Sequence, residues 1–280
     1  MKTQHAIYLS LFALLGLSSC EEDDLSAILD PQNSEIASQY VSAEGEFLNI
    51  YSRFESALRD SVLAATGQTI QDGATISWDA SSMVLAIDFG ATNVLSAEDG
   101  KSRRGKIQVT NVSPAFLTTA NTTVSLQTDG YHVDDVATDL YFMATNRGLS
   151  GTSEHFEIDS FALGLGAGDY LMTGRKDFYW DQGFNTIEDL DDDVYRMNGV
   201  SRAQDFQDTA FIQAIYSPTD QITVDKSCAH TIPQGIIDLD IQQTSGNLLG
   251  SVDFITSDGC NNLMRVTVSG ISTTVPMPSF

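Results

Sequence analysis

Short segments of alternating apolar and polar residues fill the chain after Gly67 and constrain its fold most strongly. They are rich in Val, Ile, Thr and aromatic residues, and Gly, Asn and Asp separate them. This pattern is typical of antiparallel strands joined by turns rather than of βαβ units. It predicts a mainly β fold, either a sandwich or curved antiparallel sheets. The expected strands are 75–78, 83–89, 106–112, 122–128, 138–145, 155–162, 169–173, 211–216, 236–241, 248–254 and 263–269.

One amphipathic helix is predicted before these strands, at residues 34–66. Apolar residues recur there at every third or fourth position, and Ser34 and Gly67 can cap the two ends. A helix of this kind covers a β core, or else its apolar face binds a partner. The remaining body, residues 67–280, then forms one domain or two, near 67–150 and 151–280.

The N-terminal segment indicates export. Residues 6–17 are almost entirely apolar, which is too short for a bilayer and the right length for a signal peptide. Leu17-Ser18-Ser19-Cys20 resembles the lipobox of bacterial lipoproteins, in which the cysteine becomes the lipidated first residue. We expect a signal peptide at 1–19, a lipid on Cys20 and an acidic tether at 20–33. An ordinary signal peptide followed by a chance cysteine is the alternative.

Two further stretches resemble Bacteroidota lipoproteins. Glu21-Glu22-Asp23-Asp24 is similar to their surface-export signal, although four acids in a row are also typical of a solvated tether. Asp88-Phe89-Gly90, followed by Asp-Gly-x-x-Arg-x-Gly-Lys-Ile at 99–107, resembles a block in uncharacterised members. The resemblance implies an outer-membrane lipoprotein that faces the cell exterior, with the periplasmic face as the alternative. It implies no particular activity.

The net charge of −24 restricts the partners of this chain. Cleavage after residue 19 would remove Lys2 and no acid, so the net charge of the mature chain would be −25. A strongly acidic chain is repelled by nucleic acid and by anionic lipid head groups. We therefore expect no nucleic-acid partner, and contact with the membrane through the lipid anchor alone.

Two cysteines remain if Cys20 carries a lipid. Cys228 and Cys260 would then form an even pair in an oxidising compartment, which predicts a disulfide between them. Two separate buried thiols, or a redox pair, are the alternatives, but the chain has no Cys-x-x-Cys spacing.

An aromatic and polar stretch at 177–185 is the candidate ligand site. Aromatic rings can stack on the C–H faces of sugars while amides and acids bind the hydroxyls. The stretch predicts a glycan site, and packing of its aromatic residues within the core is the alternative. The candidate residues are Tyr179, Trp180, Gln182 and Asn185.

An acidic loop follows and is the candidate metal site. Crowded carboxylates can supply the oxygen ligands that calcium prefers, although this loop lacks the spacing of a known calcium-binding loop. The alternative is an ordinary solvated loop. The candidate ligands are Asp189, Asp191, Asp192 and Asp193.

No catalytic motif accompanies these candidates. The sequence contains neither His-Glu-x-x-His nor Gly-x-Ser-x-Gly. The function that follows is that of a non-catalytic surface lipoprotein binding a glycan or a protein partner. A structural envelope or scaffold subunit is one alternative. The other is a hydrolase that uses two carboxylates, since 38 acidic residues make such pairs available.

Overall fold

The computed structural model describes residues 31–113, 115–187, 189–207, 210–228, 232, 234–244, 246–254, 260 and 263–277, with side chains from residue 35 onward. The expected signal peptide, Cys20 and residues 21–30 of the expected tether lie outside the described residues. Within the described part of the chain, no helix is both long and apolar enough to cross a membrane.

Among the described residues, two helices precede the strands, where one was expected. Helix α1 spans Pro31–Arg59 and the short helix α2 spans Ser61–Thr66. The break lies at Asp60, whose carboxylate accepts hydrogen bonds from the amides of Val62 and Leu63 and so caps α2. Gly67 ends α2 at a φ of 74°, as the sequence predicted. Helix α1 begins three residues earlier than expected, because proline is well suited to a first helical turn.

In the part of the chain that the structure describes, fifteen strands follow, and all of them belong to one sheet. They are β1 Gln68–Gln71, β2 Ala74–Asp79, β3 Val84–Leu95, β4 Ser102–Thr110, β5 Thr123–Val133, β6 Val136–Ser150, β7 Ser153–Leu165, β8 Tyr170–Gln182, β9 Val194–Asp205, β10 Ala210–Tyr216, β11 Ile222–Asp225, β12 Gly235–Gln243, β13 Gly246–Phe254, β14 Leu263–Val268 and β15 Ile271–Pro276. A 3₁₀ turn at Gly166–Gly168 joins β7 to β8.

The sheet is an antiparallel meander that is not closed. Neighbours in sequence are neighbours in the sheet from β1 to β10 and from β12 to β15. Strand β10 pairs with one half of β9, residues 200–205, and β11 pairs with the other half, residues 194–197. Of the two predicted arrangements, a curved sheet rather than a two-sheet sandwich is therefore present.

The sheet curves around α1, so that the helix lies on its concave face. The ring of Phe47 lies 5.7 Å from Phe142 of β6 and 4.8 Å from Phe161 of β7, between centroids. Tyr51 stacks on Phe178 of β8, with centroids 4.8 Å apart. Because α1 contacts so many strands, residues on most of its faces are buried. This enclosure places polar helix residues against the inner face of the sheet.

Several strands were not expected from the sequence. Strands β1, β9, β11 and β15 were missed, and β8 continues to Gln182 where the expected strand ended at 173. In β9, Ser201 and Gly199 occupy positions where an apolar residue would have revealed the alternation. Strand β8 likewise carries a buried lysine, Lys176. Polar residues on the inner face of the sheet therefore concealed β9 and the second half of β8.

Candidate functional site

A cleft of about 350 Å³ lies between α1 and the strands β9 and β11. Its helix side is formed by residues 48–55, and Phe178 and Tyr195 contribute from β8 and β9. The loop that joins β8 to β9 contributes Leu190, which also lines a smaller cavity of about 110 Å³ on the other side. Leu190 of this loop therefore lies beside Ser52 and Arg53 of α1, where the two cavities meet.

Helical spacing aligns the residues that α1 presents to the cleft. Leu48, Ser52 and Glu55 follow one another by four and three positions, so they lie on one side of the helix. Arg53 lies beside them, and its guanidinium is already paired. It donates to Asp72 at 3.0 Å and lies 3.7 Å from Glu98. The helix thus supplies a polar wall in which the arginine is held by other parts of the fold.

A buried polar network lies behind this wall. Arg59 donates to one Glu55 oxygen, Oε1, at 2.7 Å and to Asp193 at 2.6 Å, and its guanidinium lies 4.4 Å from the Trp180 ring. The Trp180 indole donates to Asp193 at 2.9 Å, and the Tyr195 hydroxyl donates to Glu55 Oε1. The network fixes the position of Glu55 and connects the end of α1 to β8 and β9.

Burial shifts the ionisation of these groups. It raises the pKa of the Asp193 carboxyl to about 6, and repulsion from Glu55 adds to this rise although Arg59 opposes it. Burial and the same Glu55 carboxylate raise the pKa of the Tyr195 phenol well above its ordinary value. Burial disfavours the charge on Arg59, but Glu55, Tyr195 and Asp193 together keep its pKa above the usual range. At neutral pH Tyr195 is therefore a neutral donor and Arg59 a cation.

The opposite wall is formed by β11 and the residues after it. Lys226 donates from Nζ to the Ser52 hydroxyl at 2.6 Å, and its backbone amide donates to the carbonyl of Asp193 at 3.0 Å. Cys228 lines the cleft and is joined to Cys260 by a disulfide, with the Cα atoms 5.1 Å apart. The predicted disulfide is confirmed, and it ties this wall to the segment between β13 and β14.

The four predicted glycan-binding residues do not share one surface. Successive residues of a strand point to opposite faces, so Trp180 lies inside β8, where it is 1% exposed, while Tyr179 lies on the outer face. There Tyr179 stacks on His155 with centroids 4.7 Å apart. Gln182 and Asn185 are exposed at the end of β8 and in the next loop. The Trp180 ring packs in the core and is not available to stack on a sugar at the surface.

The four aspartates of the acidic loop point to different partners. Asp189 accepts from the amide of Asp191, and Asp192 accepts from Thr186. Asp193 is buried against Arg59 and Trp180, and Asp191 faces the cleft. The described residues contain no group of three or more His, Cys, Asp or Glu side chains placed to hold a metal ion.

Most of the cleft residues were not among the sequence candidates; Asp191 and Cys228 are the exceptions. Glu55 was hidden within the apolar repeat of α1, and Lys226 lies in a segment with no recognisable motif. A signal was nevertheless present, because Glu44 and Glu55 interrupt the buried stripe of the helix, and a buried acid requires a partner. That signal indicates a buried polar group but does not reveal which element meets it.

The lining of the cleft combines apolar contact with many polar groups. Its residues include Leu48, Tyr51, Phe178, Val224 and Ile232 on the apolar side, and Asn49, Ser52, Arg53, Glu55, Glu98, Asp191, Asp225 and Lys226 on the polar side. Such a lining can hold a small molecule by apolar contact and orient it by hydrogen bonds. Comparisons with protein-family models, with curated proteins and with solved structures found no match to this chain.

Proposed function

We propose that this protein is a non-catalytic binding protein, anchored by lipid on Cys20 to the outer membrane and facing the cell exterior, that holds a small hydroxylated ligand such as part of a glycan. The lipobox-like segment and the acidic run support the anchor and its location. The cleft between α1 and β11 supports the binding role.

The observation that carries the proposal is the size and lining of this cleft. Its volume of about 350 Å³ lies within the range of small-molecule sites. Both walls are held in place, because α1 packs on the inner face of the sheet and the disulfide joins Cys228 of the opposite wall to Cys260. A wall that is already ordered loses little entropy when a ligand binds.

A glycan suits this lining. Ser52, Asp191 and Asp225 provide acceptors or donors for hydroxyl groups, and the half-buried Leu48 and Val224 side chains provide apolar surface for C–H groups. The site therefore offers both kinds of contact that a sugar requires. It differs from the site expected from sequence, because the apolar contribution comes from α1 and β11.

The test is binding to a broad glycan panel, with a variant that fills the cleft. Val224→Trp places an indole in the cleft and should weaken binding by about tenfold or more, because the ligand and the indole would occupy the same volume. Leu249→Trp is the matched control, since Leu249 is 73% exposed on β13 and is not among the residues that line the cleft. Far-UV circular dichroism confirms that both variants fold.

The outcomes separate the candidate functions. Binding that Val224→Trp abolishes and Leu249→Trp preserves supports the proposal. A panel without binding contradicts it and favours a structural subunit, which crosslinking would reveal through a specific protein partner. Release of shortened glycans in the same panel contradicts the non-catalytic role and favours a carboxylate-dependent hydrolase.

The anchor is tested separately in cells. Cys20→Ala removes the thiol that would carry the lipid, so we expect the protein to leave the membrane fraction. Protease digestion of intact cells should degrade the anchored protein if it faces the exterior. Protection from protease until the outer membrane is opened would place it on the periplasmic face instead.

A further inference from the structure

Among the described residues, one oxygen of the Glu55 carboxylate has no hydrogen-bond donor. Oε1 accepts from Arg59 and Tyr195, whereas Oε2 is buried and has no hydrogen-bond partner among the described residues. The Glu55 side chain is 2% exposed and lines the cleft. A buried carboxylate oxygen without a donor is costly, so a donor placed there would bind strongly.

The group nearest to this oxygen is the ammonium of Lys226. Its Nζ lies 3.6 Å from Oε2, which is longer than a hydrogen bond, and it donates instead to the Ser52 hydroxyl at 2.6 Å. The same ammonium lies 5.9 Å from the centroid of the Tyr195 ring. The Lys226 side chain therefore covers Glu55 Oε2 without satisfying it, and it shows that this corner of the cleft accommodates an ammonium group.

The charges around the cleft favour a cation. Four carboxylates line it, those of Glu55, Glu98, Asp191 and Asp225, against the two bases Arg53 and Lys226. Arg53 is held by Asp72, so it contributes little free positive charge to the cleft. The chain as a whole carries a net charge of −24, which attracts cations from a distance.

We infer that the ligand of this cleft carries a primary ammonium group, which displaces the Lys226 ammonium and donates to Glu55 Oε2. The inference rests on the proposed function and specifies its ligand class, an amino sugar rather than a neutral one. The flexible four-carbon side chain of Lys226 swings towards solvent when the ligand enters. Lys226 is thus an internal competitor for the ligand.

Titration calorimetry with the purified chain tests the inference with three probes. Glucosamine and glucose differ at one substituent, and glucosamine should bind about tenfold tighter, because its ammonium brings a full positive charge to the carboxylate whereas the glucose hydroxyl donates as a neutral group. The third probe, 1,5-diaminopentane, carries the ammonium without the sugar. The advantage of glucosamine should shrink as salt screens the charges.

Two variants change the affinity in opposite directions. Glu55→Gln removes the carboxylate and should abolish the preference for glucosamine over glucose. Lys226→Met removes the competing ammonium, so glucosamine should bind several-fold tighter while glucose binding changes little. Lys106→Met is the matched control, because it removes the same charge from an exposed pair with Asp88 at 3.2 Å, outside the cleft. If Glu55→Gln does not fold, Lys226→Met alone decides the outcome.

The results distinguish this inference from the proposed function. Equal binding of glucose and glucosamine, both blocked by Val224→Trp, upholds a glycan site and overturns the ammonium. Weaker glucosamine binding in Lys226→Met also overturns it. Binding of 1,5-diaminopentane without either sugar supports the ammonium site but rejects the glycan as its source. Absence of binding by all three probes, when the glycan panel finds a different ligand, overturns the inference alone.

Discussion

Individual charged residues on the inner face of the sheet are held by partners from distant parts of the chain. Lys176 of β8 donates to both oxygens of Glu44 on α1, at 2.7 and 2.6 Å. Arg103 of β4 donates to Asp99, whose pKa is lowered by hydrogen bonds from Arg103 and Lys101 although burial opposes the shift. The Lys176–Glu44 pair joins elements far apart in sequence, so it helps to specify how the sheet curves around α1. Arg103 makes a comparable link through Asn49 of α1, to which it donates at 3.3 Å, whereas Asp99 is only four residues away.

Breaking the Lys176–Glu44 pair should destabilise the protein strongly. Lys176→Met leaves the Glu44 carboxylate buried without a cation, which typically costs about 3–5 kcal/mol. Urea denaturation measures this as a lower midpoint. The double variant Lys176→Met/Glu44→Gln should lose less free energy of unfolding than the two single variants lose together, because neither charge of the pair remains buried.

An exposed pair provides the control. Arg265 lies 3.3 Å from Asp253, and both side chains are at least one-third exposed. Arg265→Met should change the free energy of unfolding by about 1 kcal/mol or less. If Lys176→Met and Arg265→Met lower the free energy of unfolding by similar amounts, the buried pair has no special role.

Asp193 should give the stability a pH dependence. Its pKa is about 6 in the folded protein against an ordinary value of 3.8, so the folded state binds the proton more tightly between these values. Its contribution to stability is present below pH 3.8 and is lost as pH rises through about 6. As the pH rises from 4 to 7, the free energy of unfolding of Asp193→Asn should therefore increase by about 2 kcal/mol relative to that of the unsubstituted protein. Urea denaturation at each pH measures this difference.

Asp181 provides a control of opposite sign. Burial opposes its ionisation, but hydrogen bonds from Arg196 and Ser153 lower its pKa overall. Its contribution to stability is therefore present at neutral pH and is lost as the pH falls. Asp181→Asn should lose stability relative to the unsubstituted protein as pH rises from 3 to 6. The same pH trend in both variants would contradict the assignment for Asp193.

At the scale of elements, the sequence predicted the local periodicity well and the strand ends poorly. Alternation revealed the cores of β6, β10 and β12, because their inner positions are apolar. It did not reveal β9, because Ser201 faces inward to lie 3.3 Å from Glu44 of α1. Where the inner face serves a polar network, the hydrophobic pattern of a strand disappears.

A close approach between two strands requires glycine at position 105. Gly105 of β4 has a φ of +88°, and a Cβ there would lie 2.1 Å from the carbonyl oxygen of Gly130 in β5. Gly105→Ala should cost about 2–4 kcal/mol, from the strained φ and the clash with backbone. Gly90→Ala is the control, because its φ of +78° is similar but nothing lies within 4 Å. Gly90→Ala should lower the free energy of unfolding by about 1 kcal/mol, as measured by urea denaturation. Equal losses in Gly90→Ala and Gly105→Ala would contradict the clash with the Gly130 carbonyl.

At the scale of the whole molecule, one sheet runs through both halves of the β region. Strands β1 to β6 lie mainly in the first predicted half and β7 to β15 in the second, yet β6 pairs with β7 as closely as any neighbours. Helix α1 packs on both halves, through Phe142 of β6 and Phe178 of β8. Neither half could keep its inner surface buried without the helix and the other half.

We therefore expect a single cooperative unfolding transition. Trp78 lies in β2 and Trp180 in β8, so each reports on one half of the sheet. Variants Trp78→Phe and Trp180→Phe leave one reporter each, and fluorescence and far-UV circular dichroism should give coincident urea midpoints in each variant. Two separate midpoints would show instead that residues 67–150 and 151–280 are independent domains.

The sequence by itself determined the fold class, the helix before the strands and the disulfide. These features depend on local periodicity, turn residues and the number of cysteines, all of which can be read without knowing distant contacts. The tertiary structure alone decided that Trp180 is buried while Tyr179 lies half-buried on the outer face, and that Glu55 and Lys226 meet across a cleft. Those outcomes depend on how strands distant in sequence pair and curve around α1, which no local pattern specifies.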